Sequence, residues 1–345
     1  MPSNAEILRQ LQATEPRIRK AFYDTIRLIA AGASVSNIEE LIRQGRIGEI
    51  ADEIGLTTPQ MALLAESVRA AYVSGGTLEA QTLTTQALRR GRRIIIGFDT
   101  RNLRAEQWLR RYSSDLVTAI IADQREAIRI AVSEGTAAGI GPRQTALDIV
   151  GRINRVTGRR SGGIIGLTSQ QAGYVANARR ELLSGDPQQI ANYLDRKLRD
   201  KRFDGIARRS ALSGKPVKAK DVTKMVGRYS DRMLKMRGDT IARTEALEAF
   251  NAGRDEAVNQ LIDAGINPSN VTKIWRTAGD ARTRDAHAAM NGQKREFSQP
   301  YQSPTGSRLM HPGDRSLGAG AADIINCRCI SSVKIDFIGQ AAADG

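Results

Sequence analysis

Two histidines and two cysteines are all that this chain of 345 residues contains, and only 4% of it is aromatic. Two cysteines one residue apart cannot build a disulfide framework, which excludes the stapled secreted scaffolds and points to synthesis in a reducing cytoplasm. So few aromatic rings leave the cores to Ala, Leu, Ile and Val, which suit packed helices better than a β-sandwich. No uninterrupted apolar run approaches the roughly 20 residues of a membrane-spanning helix. The first nine residues lack a basic stretch followed by an apolar core, so no secretory signal is expected there.

Positive charge is what the chain has in excess. There are 52 Lys and Arg against 37 Asp and Glu, a net charge of +15. The excess is uneven: residues 238–345 hold 12 basic and 13 acidic side chains, whereas residues 1–237 hold 40 and 24, a balance of +16. Such a field favours a polyanionic neighbour, whether nucleic acid, an acidic protein surface or a membrane face.

Helical periodicity predicts helices over 3–31 (with a kink or break at Pro16), over about 36–54, and from Thr57-Thr58-Pro59 to a stop at Gly75-Gly76. The basic cluster Arg89-Arg90-Gly91-Arg92-Arg93 then precedes Ile94-Ile95-Ile96-Gly97-Phe98, the best strand candidate of the first half. Arg89, Arg90, Arg92 and Arg93 read either as a clamp for DNA phosphates or acidic side chains, or as a solvated turn. No aromatic stacking platform accompanies them. Further helices are expected over 101–111, 115–133, 143–156, 168–183 and 188–203, with a basic turn over 204–224. A long helix should then run from Gly227 to about Ala264, stopped by Gly265-Ile266-Asn267-Pro268.

Beyond Pro268 the texture is mixed. A strand is expected over 271–277, a short helix over 285–290 and a final strand over 327–337. The predicted fold class is mostly α: an elongated helical N-terminal region followed by a small α+β C-terminal domain. The corresponding division is a helical bundle over 1–85, a basic, mostly helical arm over 86–227 and the α+β domain over 228–345.

His287, His311, Cys327 and Cys329 all fall in one window of 43 residues within that last domain. Together they could supply Cys₂His₂ for tetrahedral zinc, although Cys-x-Cys is a less common clip than Cys-x₂₋₄-Cys. In a strand, Cys327 and Cys329 would share one face. The alternative is that the cysteines are small buried hydrophobes and the histidines hydrogen-bonded pivots. Arg243, Glu245, Asp280, Arg282 and Arg284 read as an ion-pair network tying helix to loop. The sharper reading of Glu245, Asp280 and His287 is an acid/base site. No nucleophile with a base and an orienting partner is visible, and there is no Walker-type phosphate loop, so no catalytic residue is assigned.

In order, the region reads Ile241-Ala242-Arg243-Thr244-Glu245, Trp275 and Asp280, Arg284-Asp285-Ala286-His287, Asn291-Gly292, Pro312-Gly313-Asp314 and Asn326-Cys327-Arg328-Cys329. Over about 228–337 this combination resembles the C-terminal domain of the phage Mu F-type minor head proteins, also called phage head morphogenesis proteins. The resemblance implies a virion component made in the host bacterial cytoplasm, present in few copies at the portal vertex or inner capsid face. Its implied partners are the portal protein, the major capsid protein and packaged double-stranded DNA, with roles in head assembly and DNA packaging, delivery or ejection. The competing class is a metal-dependent hydrolase or nuclease, or an effector delivered with the phage genome, using His287, Asp280, Glu245 and the pair Cys327 and Cys329.

Overall fold

A computed structural model describes residues 4–91, 95–337 and Gly339. In chain order the helices of the first half are α1 (Asn4–Gly32), α2 (Val35–Arg43), α3 (Ile50–Glu53), α4 (Ala62–Arg89), α5 (Leu103–Ala137) and α6 (Pro142–Val150). The hairpin β1 (Arg152–Ile153) and β2 (Arg160–Ser161) precedes α7 (Ser169–Ser184), α8 (Pro187–Asp195), α9 (Asp204–Ser213) and α10 (Ala219–Asp263). Then come β3 (Val271–Arg276), α11 (Asp285–Met290), β4 (Lys294–Glu296), β5 (Tyr301–Gln302), β6 (Arg308–Leu309), α12 (Ala321–Ile324) and β7 (Ile330–Ile335). The fold is mostly α, with its small antiparallel sheets concentrated in the C-terminal region.

Local chemistry accounts for many boundaries. Ser34 caps α2 by accepting from the Asn37 N–H, and Thr168 and Gln171 form a reciprocal capping box on α7. Asp186 caps α8 with Pro187 at its first position, where a missing N–H costs nothing. Pro16 lies inside α1 without ending it.

The helices expected over 101–111 and 115–133 are one, α5, and the helix expected over 143–156 ends at Val150; three further expectations fail for physical reasons. Gly75 and Gly76 do not stop a helix; they lie inside α4, where their missing Cβ atoms admit a neighbour. Residues 95–99 form no strand, and Ile94 lies outside the described residues. The Ile96 N–H donates to Thr84 Oγ1 at 2.9 Å and the Asp99 N–H to Gln260 Oε1 at 2.9 Å, so side chains take the place of a ladder. The stretch 204–224 is largely helical, forming α9 and the first turns of α10.

The chain folds as two compact units built from discontinuous segments. One gathers Met1–Ala21, Leu64–Ser113 and Asp239–Gly345, the other Phe22–Leu63 and Ser114–Gly238. Sequence periodicity divides a chain into consecutive stretches, because it reports faces to be buried and not which distant segment buries them. The second unit is all helix apart from the β1–β2 hairpin. Its core includes Phe22, Ile38, Ile128, Ile149, Leu182 and Tyr193, and α2 packs on α6.

In the first unit, α4 and α10 approach with almost no side chain between them. A Cβ on Gly75 would lie 2.0 Å from Phe250 O, and one on Gly253 would lie 2.0 Å from Tyr72 O. One residue beyond Gly253, Arg254 Nε donates to Glu79 Oε2 at 2.7 Å, both side chains being buried. Further along the same two helices, Leu83 and Ala87 of α4 join Val258 and Leu261 of α10 in an apolar cluster. The three-stranded sheet closes that cluster with Val271, Val333 and Ile335, joined by Phe297 just after β4. Its order is β4-β3-β7, all antiparallel, with Val271 opposite Ile335 and Arg276 opposite Ile330.

Substitution at this crossing has a definite sign. Gly253→Ala should lose about 1–3 kcal/mol of unfolding free energy or more, the usual cost of overpacking, because backbone atoms cannot swing aside. Gly173→Ala, inside α7 with nothing within 4 Å, should instead gain up to about 1 kcal/mol. Urea titration of both variants measures the contrast, and equal effects would refute the close-packing account.

Candidate metal centre

Three short elements after α10 bring the soft ligands together. His287 lies on α11, and buried Asp323 lies on α12. Between α12 and β7 the chain turns through Asn326, whose φ of 57° is the left-handed conformation that Asn tolerates better than most residues. Cys327 and Cys329 follow in this turn, not in a strand: the Cys327 N–H bonds to Ile324 O, and pairing with β3 begins only at Ile330. The two side chains therefore do not share a strand face, yet the two sulfurs still converge.

Both sulfurs lie 3.5 Å from His287 Nδ1. The three ligand atoms are all within 4.8 Å of one another, and each side chain is only 2% exposed. On the far side of the ring, Nε2 is 3.1 Å from Asp323 Oδ1. Asp323 in turn accepts from Ser303 Oγ at 3.0 Å and Thr305 Oγ1 at 2.5 Å. The Cys329 N–H donates to Cys327 Sγ at 3.4 Å, and the Trp275 ring meets the imidazole edge-on at 5.6 Å.

Charge is distributed accordingly. The hydrogen bond from Cys329, helped by His287 and opposed by burial, draws the Cys327 thiol below its ordinary value. The bond to Cys327 and burial push the Cys329 thiol up, so the pair favours one thiolate and one thiol. Burial pulls His287 down, but its bonds to Cys327 and Asp323 hold it above its ordinary value. Burial raises Asp323, and donation by Thr305, Ser307, Ser303 and His287 more than offsets that.

His311 is not part of this cluster. Its Nδ1 lies 3.3 Å from Pro312 O, and its electrostatic neighbours are Asp255 and Asp314. The three aligned groups Cys327, His287 and Asp323 supply the thiol, base and orienting carboxylate that the sequence did not reveal. Asp323, Ser303 and Thr305 carry no linear signal, since Asp323 reaches His287 across 36 positions of chain.

The expected ion-pair network resolves into separate contacts. Arg243 reaches Glu15 at 3.7 Å and Asn326 Oδ1 at 3.4 Å. Glu245, two residues on and therefore on another face of α10, accepts from Tyr112 and lies 3.4 Å from Arg315. Asp280 is held by Arg328 at 2.5 Å and Arg282 at 3.6 Å, whereas Arg284 donates to Ile325 O. Asp280 and Glu245 thus have partners other than His287, and no acid/base trio forms among them. Arg89 and Arg90 are exposed, while Arg92 and Arg93 lie outside the described residues.

Glu245 shares both its partners with Glu248: Tyr112 donates to the two carboxylates, and Arg315 Nε lies 2.6 Å from Glu248. Burial, opposed by Arg315 and reinforced by the Glu245 charge, pushes Glu248 up to about 8. A carboxyl raised in the folded state contributes stability that is complete below its unfolded value near 4.5 and is lost as pH rises through about 8. Glu248→Gln cannot ionise. Relative to wild type it should gain stability across that window by up to about 1.4 kcal/mol per pH unit. Urea unfolding of both proteins at several pH values checks this, and a difference that stays constant from pH 5 to 8 would contradict it.

Residues 213–332 match the family model described as Phage Mu protein F like protein. No curated protein and no solved structure matches the chain. The match spans the whole of α10 and every member of the His287–Cys327–Cys329 cluster with its Asp323 support. The C-terminal part of the chain is thus a phage Mu protein F-like region.

Proposed function

We propose that this chain is a minor structural protein of a tailed-phage head. It would associate with the portal protein or the major capsid protein at the inner capsid face and act in head morphogenesis and in DNA packaging or delivery. The family match over residues 213–332 carries this reading. The +16 balance of residues 1–237 supports it, since that field suits packaged DNA or an acidic portal surface. Among the described residues, no helix is long and apolar enough to cross a membrane. The site of action is therefore proposed to be the virion, in the head interior or at the portal vertex, after synthesis in the host cytoplasm.

The hydrolase or effector reading draws on the Cys327–His287–Asp323 alignment. Against it, both sulfurs are 2% exposed, and the cleft beside them has a volume of only about 10 Å³. That space holds about one water molecule and no scissile group.

Density-gradient fractionation of a phage lysate, followed by mass spectrometry, tests the assignment. The chain should travel with assembled heads in a few copies per particle; recovery only in the soluble fraction would refute it. A second expectation concerns DNA. The purified chain should bind duplex DNA without sequence preference, with log affinity falling by about 0.9 per phosphate contact for each decade of salt. Arg89→Ala with Arg90→Ala should reduce that slope by about 1–2, roughly 0.9 for each phosphate no longer neutralised. Affinity that ignores salt, or an unchanged slope in the double variant, would remove these arginines from the interface.

A further inference from the structure

The geometry points to a tetrahedral zinc site built by His287, Cys327 and Cys329, with one water-derived fourth ligand. This inference stands independently of the head-protein reading. Zinc takes sulfur at about 2.3 Å and imidazole nitrogen at 2.0–2.1 Å in a tetrahedron, which places each sulfur about 3.6 Å from the nitrogen. Both Sγ···Nδ1 separations here are 3.5 Å. The same geometry puts two sulfurs about 3.8 Å apart, within the 4.8 Å that encloses all three ligand atoms.

The bonding capacity of imidazole makes the same point. Nδ1 offers one in-plane direction, either a lone pair or a hydrogen, and so cannot fully satisfy two sulfurs at equal distances. A single ion on that axis serves all three atoms at once. The far nitrogen is already committed, because Nε2 donates to Asp323, whose oxygens Ser303 and Thr305 hold in place. That carboxylate–histidine arrangement fixes the ring so that Nδ1 faces the metal position. The Cys329 N–H bond to Cys327 Sγ stabilises thiolate character on the near sulfur. Thiolate and imidazole ligands together select zinc over magnesium or calcium.

Two features of the surroundings fit an ion. Among the described residues, Asn326 is the single non-glycine residue with positive φ, and it immediately precedes Cys327. Its N–H donates to Thr244 Oγ1 at 3.1 Å and its Oδ1 accepts from Arg243 at 3.4 Å, so α10 fixes the turn that delivers the sulfurs. Unusual backbone held by its surroundings is characteristic of functional sites. The small cleft lined by Thr283, Arg284, Asn326 and Arg328 opens onto His287, Cys327 and Cys329. Its volume of about 10 Å³ accommodates one water as the fourth ligand.

The test uses the full chain, purified without a histidine tag. Elemental analysis after zinc loading and gel filtration should find one zinc per chain. Cobalt(II) in its place should give the intense visible bands of a tetrahedral ion together with sulfur-to-cobalt charge transfer. Alkylation of the two thiols in the folded wild-type protein should be slow with zinc and faster after chelation. Asp323→Asn should weaken zinc affinity about 10–100-fold, and His311→Gln should leave both stoichiometry and spectrum unchanged. Cys327→Ser and Cys329→Ser should abolish the charge-transfer band. Because these two could also unfold the domain, the wild-type measurements decide. Absence of zinc and of the cobalt spectrum, alkylation indifferent to zinc, or loss of the ion in His311→Gln would each overturn the site.

Discussion

The missing side chains of Gly75, Gly76 and Gly253 determine how the first unit packs. Each glycine costs its helix about 1 kcal/mol of propensity relative to alanine, so their place inside α4 and α10 requires a return in packing. The return is close approach: Phe250 O occupies the space of one absent Cβ, Tyr72 O that of another, and the Phe98 ring that of the third. Beside the crossing sits the Arg254–Glu79 pair, whose charges are shut away from water. A buried pair of this kind adds little net stability but strongly penalises any register in which one partner is left alone. Glycines and ion pair together fix one alignment of the two helices.

The C-terminal sheet and the cluster inherit that alignment. Leu83 and Ala87 meet Val333 and Ile335 only because α4 lies in this register, and Gln86 Nε2 donates to Val333 O at 3.1 Å. From α10, Asn251 Nδ2 holds Pro312 O at 2.9 Å, while Thr244 and Arg243 hold Asn326. Few of the residues around the sulfurs are in regular structure. Hydrogen bonds to a rigid helix supply the order that loops lack, which is why the cluster can be sharply defined in a region dense with Gly, Pro and Asp.

The sequence made helix existence legible where an apolar stripe faces one core, as in α1, α7 and α11, and it located β3 from its β-branched and aromatic run. The convergence of His287 with Cys327 and Cys329 was also foreseeable, since ligand types so rare in a chain seldom gather without sharing a place. Hidden from it were features set by tertiary partners. Gly75-Gly76 reads as a stop unless Phe250 is known to lie opposite. The run beginning at Ile95 reads as strand unless Thr84 and Gln260 are known to take its N–H groups. Asp323 is one more acidic residue until His287 is placed beside it. The discontinuous units follow the same logic: the match over 213–332 omits Leu83, Ala87 and Glu79, so it marks a stretch of shared sequence and not a self-sufficient core.

The Arg254–Glu79 pair also sets an order of events during synthesis. The two residues are 175 positions apart. At roughly 5–20 residues per second, α4 leaves the ribosome on the order of 10–30 s before the helix that must cover it. Throughout that interval its glycine face and the carboxyl of Glu79 are without their partner, and the interactions that organise the first unit form only after α10 has emerged. The N-terminal segments of this unit therefore wait for its later segments, and folding of this unit is expected to be completed only after Asp239–Gly345 has been synthesised.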